Sequence, residues 1–256
     1  MNRAVMWGAG GAAVAVLALS GYALLGGDEE TPGTPGKGGG TASAPATPGP
    51  EYTAPSDWSE PDRWAALPRG SRTDKNTNPV GFPHTLEGAV AMMAAANTTA
   101  VEGDRSSVDE QLGIFRSYVA DADQTAANAD QVEDKAAETD EKIRKQMGVG
   151  AGADLPSGAY VRSHVVGFQV IEKSADEVSV WILTRSTTKT GETKPEDGAY
   201  ARTLVAAEWM GGDWKLSGAS INRAVQQTRS QPKPDMVAPG DEAFNRAGWT
   251  AIREAS

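Results

Sequence analysis

The chain has 256 residues, a formal net charge of −10, 39% hydrophobic and 6% aromatic content, and no cysteine. The acidic balance argues against nucleic-acid binding, because phosphate is held by basic surfaces. The missing cysteines exclude disulfides, thiolate metal ligands and thiol nucleophiles while leaving the redox compartment open.

Ala4 to Gly27 carries no charged residue. A helix over this stretch would extend roughly 36 Å, enough to cross a hydrocarbon core of ~30 Å. Arg3 precedes it and Asp28, Glu29 and Glu30 follow it, a charge order that predicts a cytoplasmic N-terminus. Residues 1–27 therefore read as a transmembrane anchor, and the protein as a single-pass cell-membrane protein with its domain outside the cytoplasm. A cleavable signal peptide is the rival reading, with Gly21-Tyr22-Ala23 as the small-residue site. The apolar run, however, exceeds the ~7–15 residues of a usual signal core. Gly8-Ala9-Gly10-Gly11-Ala12-Ala13 matches G-x-G-x-x-A, but it lacks the preceding strand and surrounding βαβ unit of a dinucleotide site.

Residues 28–56 form a linker. Eleven of the twenty residues from Thr31 to Pro50 are Gly or Pro, a composition that cannot bury enough apolar surface to offset its ordering entropy. Tyr52, Trp58 and Trp64 follow, readable as an arm packed on the domain or as a partner site.

An α+β domain is expected over residues 57–221. Thr85 is a good N-cap for a first helix, apolar on nearly all faces, running from Leu86 to Asn97. Ser107-Val108-Asp109-Glu110 reads as a capping box for a second helix carrying Leu112, Phe115, Tyr118 and Val119. A third runs from Ala126 to Gly148, with Val132, Ala136, Ile143 and Met147 on one side and a charged, solvated opposite face. Strands are predicted at Tyr160–Ile171, bulged at Gly167, then at Val178–Thr184 and Ala199–Met210. A turn at Gly211-Gly212-Asp213 leads into a fourth strand from Trp214 to about Ile221. Helices followed by an antiparallel meander imply helices packed on a curved, cone-like antiparallel sheet. Residues 222–256 read as a polar tail with a short helix, Asp241–Ala255, docking through Phe244, Trp249 and Ile252.

Chemistry is sparse. His84 and His164 are separated and form no metal-ligand pattern. Ser186-Thr187-Thr188-Lys189-Thr190-Gly191 contains both S-x-x-K and K-T-G. Enzymes that use those motifs place them on different elements, whereas here they share Lys189 in an expected hairpin loop. Tyr118, Asp121, His164 and Tyr200 are candidates for a cone interior, with nothing to single one out. No catalytic, cofactor-binding or metal-ligating residue is assigned, and no cofactor is expected.

The succession of helices and long strands closing on Glu208-Trp209-Met210-Gly211-Gly212-Asp213-Trp214-Lys215-Leu216 resembles the nuclear-transport-factor-2-like fold. Gly81-Phe82-Pro83-His84-Thr85-Leu86-Glu87-Gly88-Ala89, with the N-terminal span and linker, resembles membrane-anchored proteins of actinobacterial conjugative elements, similar to periplasm-facing scaffolds of type IV secretion systems. That resemblance implies a non-enzymatic assembly subunit of a DNA-transfer apparatus, partnered by the membrane, by other membrane subunits and by copies of itself. The alternatives are an exported small-molecule-binding module using the cone cavity and, last, a hydrolase or isomerase.

Overall fold

The computed structural model describes residues 57–103 and 105–253. An N-terminal arm carries three short strands, β1 (Trp64–Ala66), β2 (Arg72–Thr73) and β3 (Pro79–Val80), before α1 (Leu86–Ala96) and β4 (Thr99–Glu102). A helical hairpin follows, α2 (Ser107–Tyr118) and α3 (Ala126–Gln146), joined through a 3-10 turn at Asp121–Asp123. The long strands β5 (Ala159–Lys173), β6 (Glu177–Thr190) and β7 (Glu196–Met210) then form a meander ending in β8 (Asp213–Leu216). The chain closes with α4 (Gly218–Thr228), α5 (Glu242–Arg246) and β9 (Thr250–Arg253).

The main sheet runs β1-β9-β5-β6-β7-β8, with β4 also on β5. β4 and β9 share one edge of β5: β4 takes Tyr160–Ser163 and β9 takes Gly167–Phe168. The register slips between Val165 and Gly167, where the bulge was expected. A Cβ at Gly167 would lie 3.2 Å from the Thr250 carbonyl and 3.3 Å from the Phe244 ring, so the bare backbone lets β9 cross there.

The helix N-termini follow local chemistry. Thr85 accepts the Gly88 N–H at 3.0 Å and starts α1. The α2 cap is Ser106 rather than Ser107, its hydroxyl accepting the Asp109 N–H. Glu110, expected to reach back to its own cap, instead accepts the Ala100 N–H of β4 at 2.8 Å and ties helix to sheet. Along α3, Val132, Ala136, Thr139 and Ile143 are buried.

The sheet face under α1 is filled. Val90, Met92 and Met93 of α1 sit at 0–1% exposure against Val180 and Ile182 of β6 and Val205 of β7. The space beneath α1, where the expected cone cavity would lie, is occupied by these apolar side chains.

The purely antiparallel sheet is also corrected. β1 pairs with β9 in parallel, which makes the sheet mixed. The expected tail helix stops at Arg246 because Gly248 adopts φ +82°, and Thr250–Arg253 continues as a strand. The strand expected to reach Ile221 ends at Leu216, because Ser217 accepts from Ala219 and Ser220 N–H and starts α4.

The proposed transmembrane helix falls on residues outside those described. No helix among the described residues is long and apolar enough to cross a membrane. α1, the most apolar, has 11 residues, and the 21-residue α3 is charged along its exposed face. The expected membrane-anchored, single-pass topology with an extracytoplasmic domain is corrected to this extent: the described residues supply no span for it.

One contact binds the arm, α1 and the end of the meander. The Asp213 carboxylate, on a 5%-exposed residue, accepts N–H bonds from Gly81 at 2.8 Å, Phe82 at 3.2 Å and Trp214 at 3.0 Å. The buried Trp214 indole donates to the Pro83 carbonyl at 2.8 Å. A Cβ at Gly88 would fall 1.9 Å from that same carbonyl oxygen. Replacing Asp213 with Ala leaves three backbone donors without their carboxylate, and the expected cost is about 3 kcal/mol, read as a lowered urea midpoint. Gly88→Ala should destabilise through displacement of Pro83, with a changed Trp214 indole N–H resonance. A Gly88→Ala protein with unshifted midpoint and resonance would show that the turn moves freely.

Candidate functional site

The four residues expected inside a cone are distributed differently. Tyr118 is buried and donates its hydroxyl to the Pro79 carbonyl at 2.9 Å. Burial pushes its phenol up, and Asp74 and Asp213 add to the effect. Asp121 lies exposed in the 3-10 turn. His164 and Tyr200 stand on the opposite sheet face, in one row with Arg185: His164 pairs with Arg185, and Arg185 with Tyr200. The structure therefore sets His164 and Tyr200 in one row, two strands apart with Arg185 between them, and separates both from Tyr118 and Asp121.

The remaining polar candidates are built into the scaffold. His84 stacks on Trp209 with ring centroids 4.0 Å apart, and its Nε2 lies 3.0 Å from Asp176. Ser186 and Lys189 sit within β6 rather than in a loop, and Ser186 Oγ is 2.7 Å from Ser163 Oγ. The Asp74 carboxylate accepts from the Ser117 hydroxyl and from the Asn76 and Asn78 N–H groups. Burial acts to raise its pKa, but these hydrogen bonds outweigh it and hold the carboxyl below its ordinary range. Trp58 packs against Gly240, where a Cβ would fall on its ring, so it belongs to the arm. Tyr52 lies outside the described residues.

No group of three or more His, Asp or Glu among the described residues is arranged to hold a metal ion. What the fold leaves open is a sheet surface. At the far end of the meander, on the face away from α1, the rows are Tyr160–Lys189–Glu196, Arg162–Thr187–Gly198 and His164–Arg185–Tyr200. The Arg162 guanidinium lies 4.2 Å above the Tyr160 ring centroid and bonds Glu102 through Nε at 3.1 Å. The Tyr160 hydroxyl donates to Glu196, a bond that raises its phenol pKa. Burial raises that of Tyr200, against the opposing field of Arg185. Arg185 and Lys189 make no ion pair with a described carboxylate.

This face ends at an unfinished edge. β7 spans Glu196–Met210, yet β8 pairs only with Ala207–Met210. Glu196–Ala206 therefore has β6 on one side and no strand on the other among the described residues. Its side chains at Gly198, Ala199 and Ala201 are small. A Cβ at Gly198 would lie 3.9 Å from Arg185 Nε, ordinary contact distance, so Arg185 reaches across to β7 beside Gly198. Sequence reading placed the strand but missed the edge, because strand pairing is not visible in a single strand's residues. The one local hint is the Gly-Ala-Tyr-Ala run without proline.

The chain matches no protein-family model, no curated protein and no solved structure. The expected membership of the nuclear-transport-factor-2-like fold is corrected by this result together with the mixed sheet. The likeness to conjugative scaffolds falls with it, as do a scaffold role in a DNA-transfer apparatus and the partners drawn from it, namely membrane subunits and further copies of the chain. The two stretches that carried the resemblance have a local physical role instead: they are the two halves of the Asp213–Trp214 contact with residues 81–83.

The Asp74 arrangement sets a pH dependence. A carboxylate whose folded pKa is depressed adds stability that is fully present above its unfolded pKa of about 3.9. That stability is lost as pH falls through the lower folded value. Asp74→Asn should therefore reduce stability at pH 7 and shrink the difference from the native chain as pH drops below about 4. Urea midpoints of both proteins between pH 2 and pH 7 measure this, and parallel curves would count against it.

Proposed function

We propose that this is a non-catalytic binding domain that takes an extended segment of a partner protein along the free edge of β7. The observation that carries the reading is the unpaired stretch Glu196–Ala206. Exposed edges present rows of N–H and C=O groups, and folded proteins usually guard them with proline, bulges or charge. Here small side chains stand at the middle of the edge, and its charges are Glu196 and Asp197 at one end and Arg202 further along. Addition of a strand satisfies the backbone groups, and alternate side chains set specificity. On the outer face an added strand would lie beside Tyr200 and Arg185. On the inner face it would lie beside Ala199, Ala201 and Val205. A partner segment alternating acidic and apolar residues fits both. The non-catalytic reading is supported by the way Tyr118, His84 and Asp74 are committed to structural contacts.

The test is selection of extended ten-residue peptides from a random displayed library on the full chain, followed by hydrogen exchange of the complex. Selected peptides should alternate acidic and apolar residues and slow exchange of amides within Glu196–Ala206. Ala201→Lys should weaken them at least tenfold, and Arg185→Glu should reverse the preference for acidic residues. Protection confined to another surface would sink the reading.

A further inference from the structure

A second site lies on the outer sheet face, where the α4 helix meets the Leu204 end of the β7 edge, and it does not rest on the function proposed for that edge. Trp181 and Leu204 are direct cross-strand partners on β6 and β7, and both are half-buried. α4 packs beside them through Ile221 and Ala224, which join Ala206 and Leu204 in one apolar cluster. The next residue, Val225, is 46% exposed, the highest among the exposed large hydrophobic residues of the described chain. It is a wall rather than a stray surface residue, because Trp181, Leu204, Val225 and Thr228 line an open groove of roughly 540 Å³. That volume falls within the ~300–1,000 Å³ of small-molecule sites, which are apolar with a few placed polar groups.

The polar side of the lining is Gln226 and Gln231 with two cations, Arg229 and Lys233. Both cations are exposed, and neither makes an ion pair with a described carboxylate. In a chain with a net charge of −10, two neighbouring cations without acidic partners are a local reversal of sign. Arg229 stands at the C-cap of α4, where carbonyl ends favour a positive charge. Lys233 lies beyond the helix and has no such reason to be there. The apolar floor calls for a hydrocarbon or aromatic body, and the cations call for an anionic head.

From this complementarity we infer that the groove between α4 and the sheet binds a small organic anion with an apolar body, of the medium-chain carboxylate type. The body lies on Trp181, Leu204 and Val225, and the head meets Arg229 and Lys233. This site is on the opposite sheet face from the one that α1 fills.

Titration calorimetry of the full chain with decanoate, below its micellar concentration, tests the inference, with decylammonium as the charge-reversed control. Decanoate should bind saturably at one site and shift the Trp181 indole N–H resonance, assigned through Trp181→Phe. The Arg229→Ala/Lys233→Ala double variant should bind at least tenfold more weakly, which corresponds to about 1.4 kcal/mol. Val225→Asp, at an exposed helix position, should abolish binding while leaving the circular dichroism unchanged. Absence of saturable binding overturns the inference. So does equal binding of decylammonium, or decanoate affinity indifferent to loss of the two cations.

Discussion

The structure depends on one buried carboxylate. Asp213 sits at the turn between β7 and β8 and collects the N–H groups of Gly81, Phe82 and its own neighbour Trp214. An unpaired buried charge would be costly, and three charge-assisted bonds offset that cost. Trp214 then anchors the Pro83 carbonyl, and Gly88 gives that carbonyl room at the start of α1. These contacts aim α1 across the inner sheet face. Once α1 lies there, Val90, Met92 and Met93 fill the space that a cone-shaped fold would otherwise leave open.

The short β8 has a further consequence. Ser217 begins α4 immediately after Leu216, so the strand cannot follow β7 along its length. The free side of β8 is itself closed, by the Ala120 N–H bond to the Leu216 carbonyl. The open edge is therefore confined to Glu196–Ala206. On the other flank, β5 is covered by β4 and β9 in succession, and β1 extends β9. The sheet is protected on one side and unfinished on the other, and the surface proposed for partner binding is the unfinished one.

The outer face is shared among α4, the C-terminal segment and solvent. Phe244 and Trp249 pack with Leu183 and Ala251 near the middle of the sheet. α4 covers Ala206 and part of Leu204. The two coverings leave the Trp181–Leu204 pair half-buried between them and His164 and Arg185 exposed, with Tyr200 at the boundary, packed on the C-terminal cluster. Two surfaces of different chemistry thus arise from one incomplete layer: a polar, cation-bearing sheet end and an apolar groove with a cationic rim.

The residues by themselves determined the local elements. Thr85, the Val132–Ala136–Ile143 stripe, the alternating strands and the bulge at Gly167 all act within a few neighbours, so their signals are written in short stretches of chain. The same locality misled where the motifs were read as a fold: the stretches around His84 and Trp214 encode a contact between two turns, which a mixed sheet satisfies as well as a cone does. The C-terminal strand was read as a helix because Phe244, Trp249 and Ile252 have compatible spacing, and only pairing with β5 and β1 holds Thr250–Arg253 extended. Tertiary structure alone decided that the sheet face under α1 is full, that β7 keeps a free edge, and that Trp181, Val225, Arg229 and Lys233 share a groove. These features join residues far apart in sequence, and their geometry is set by which strands find partners and which helix covers which face.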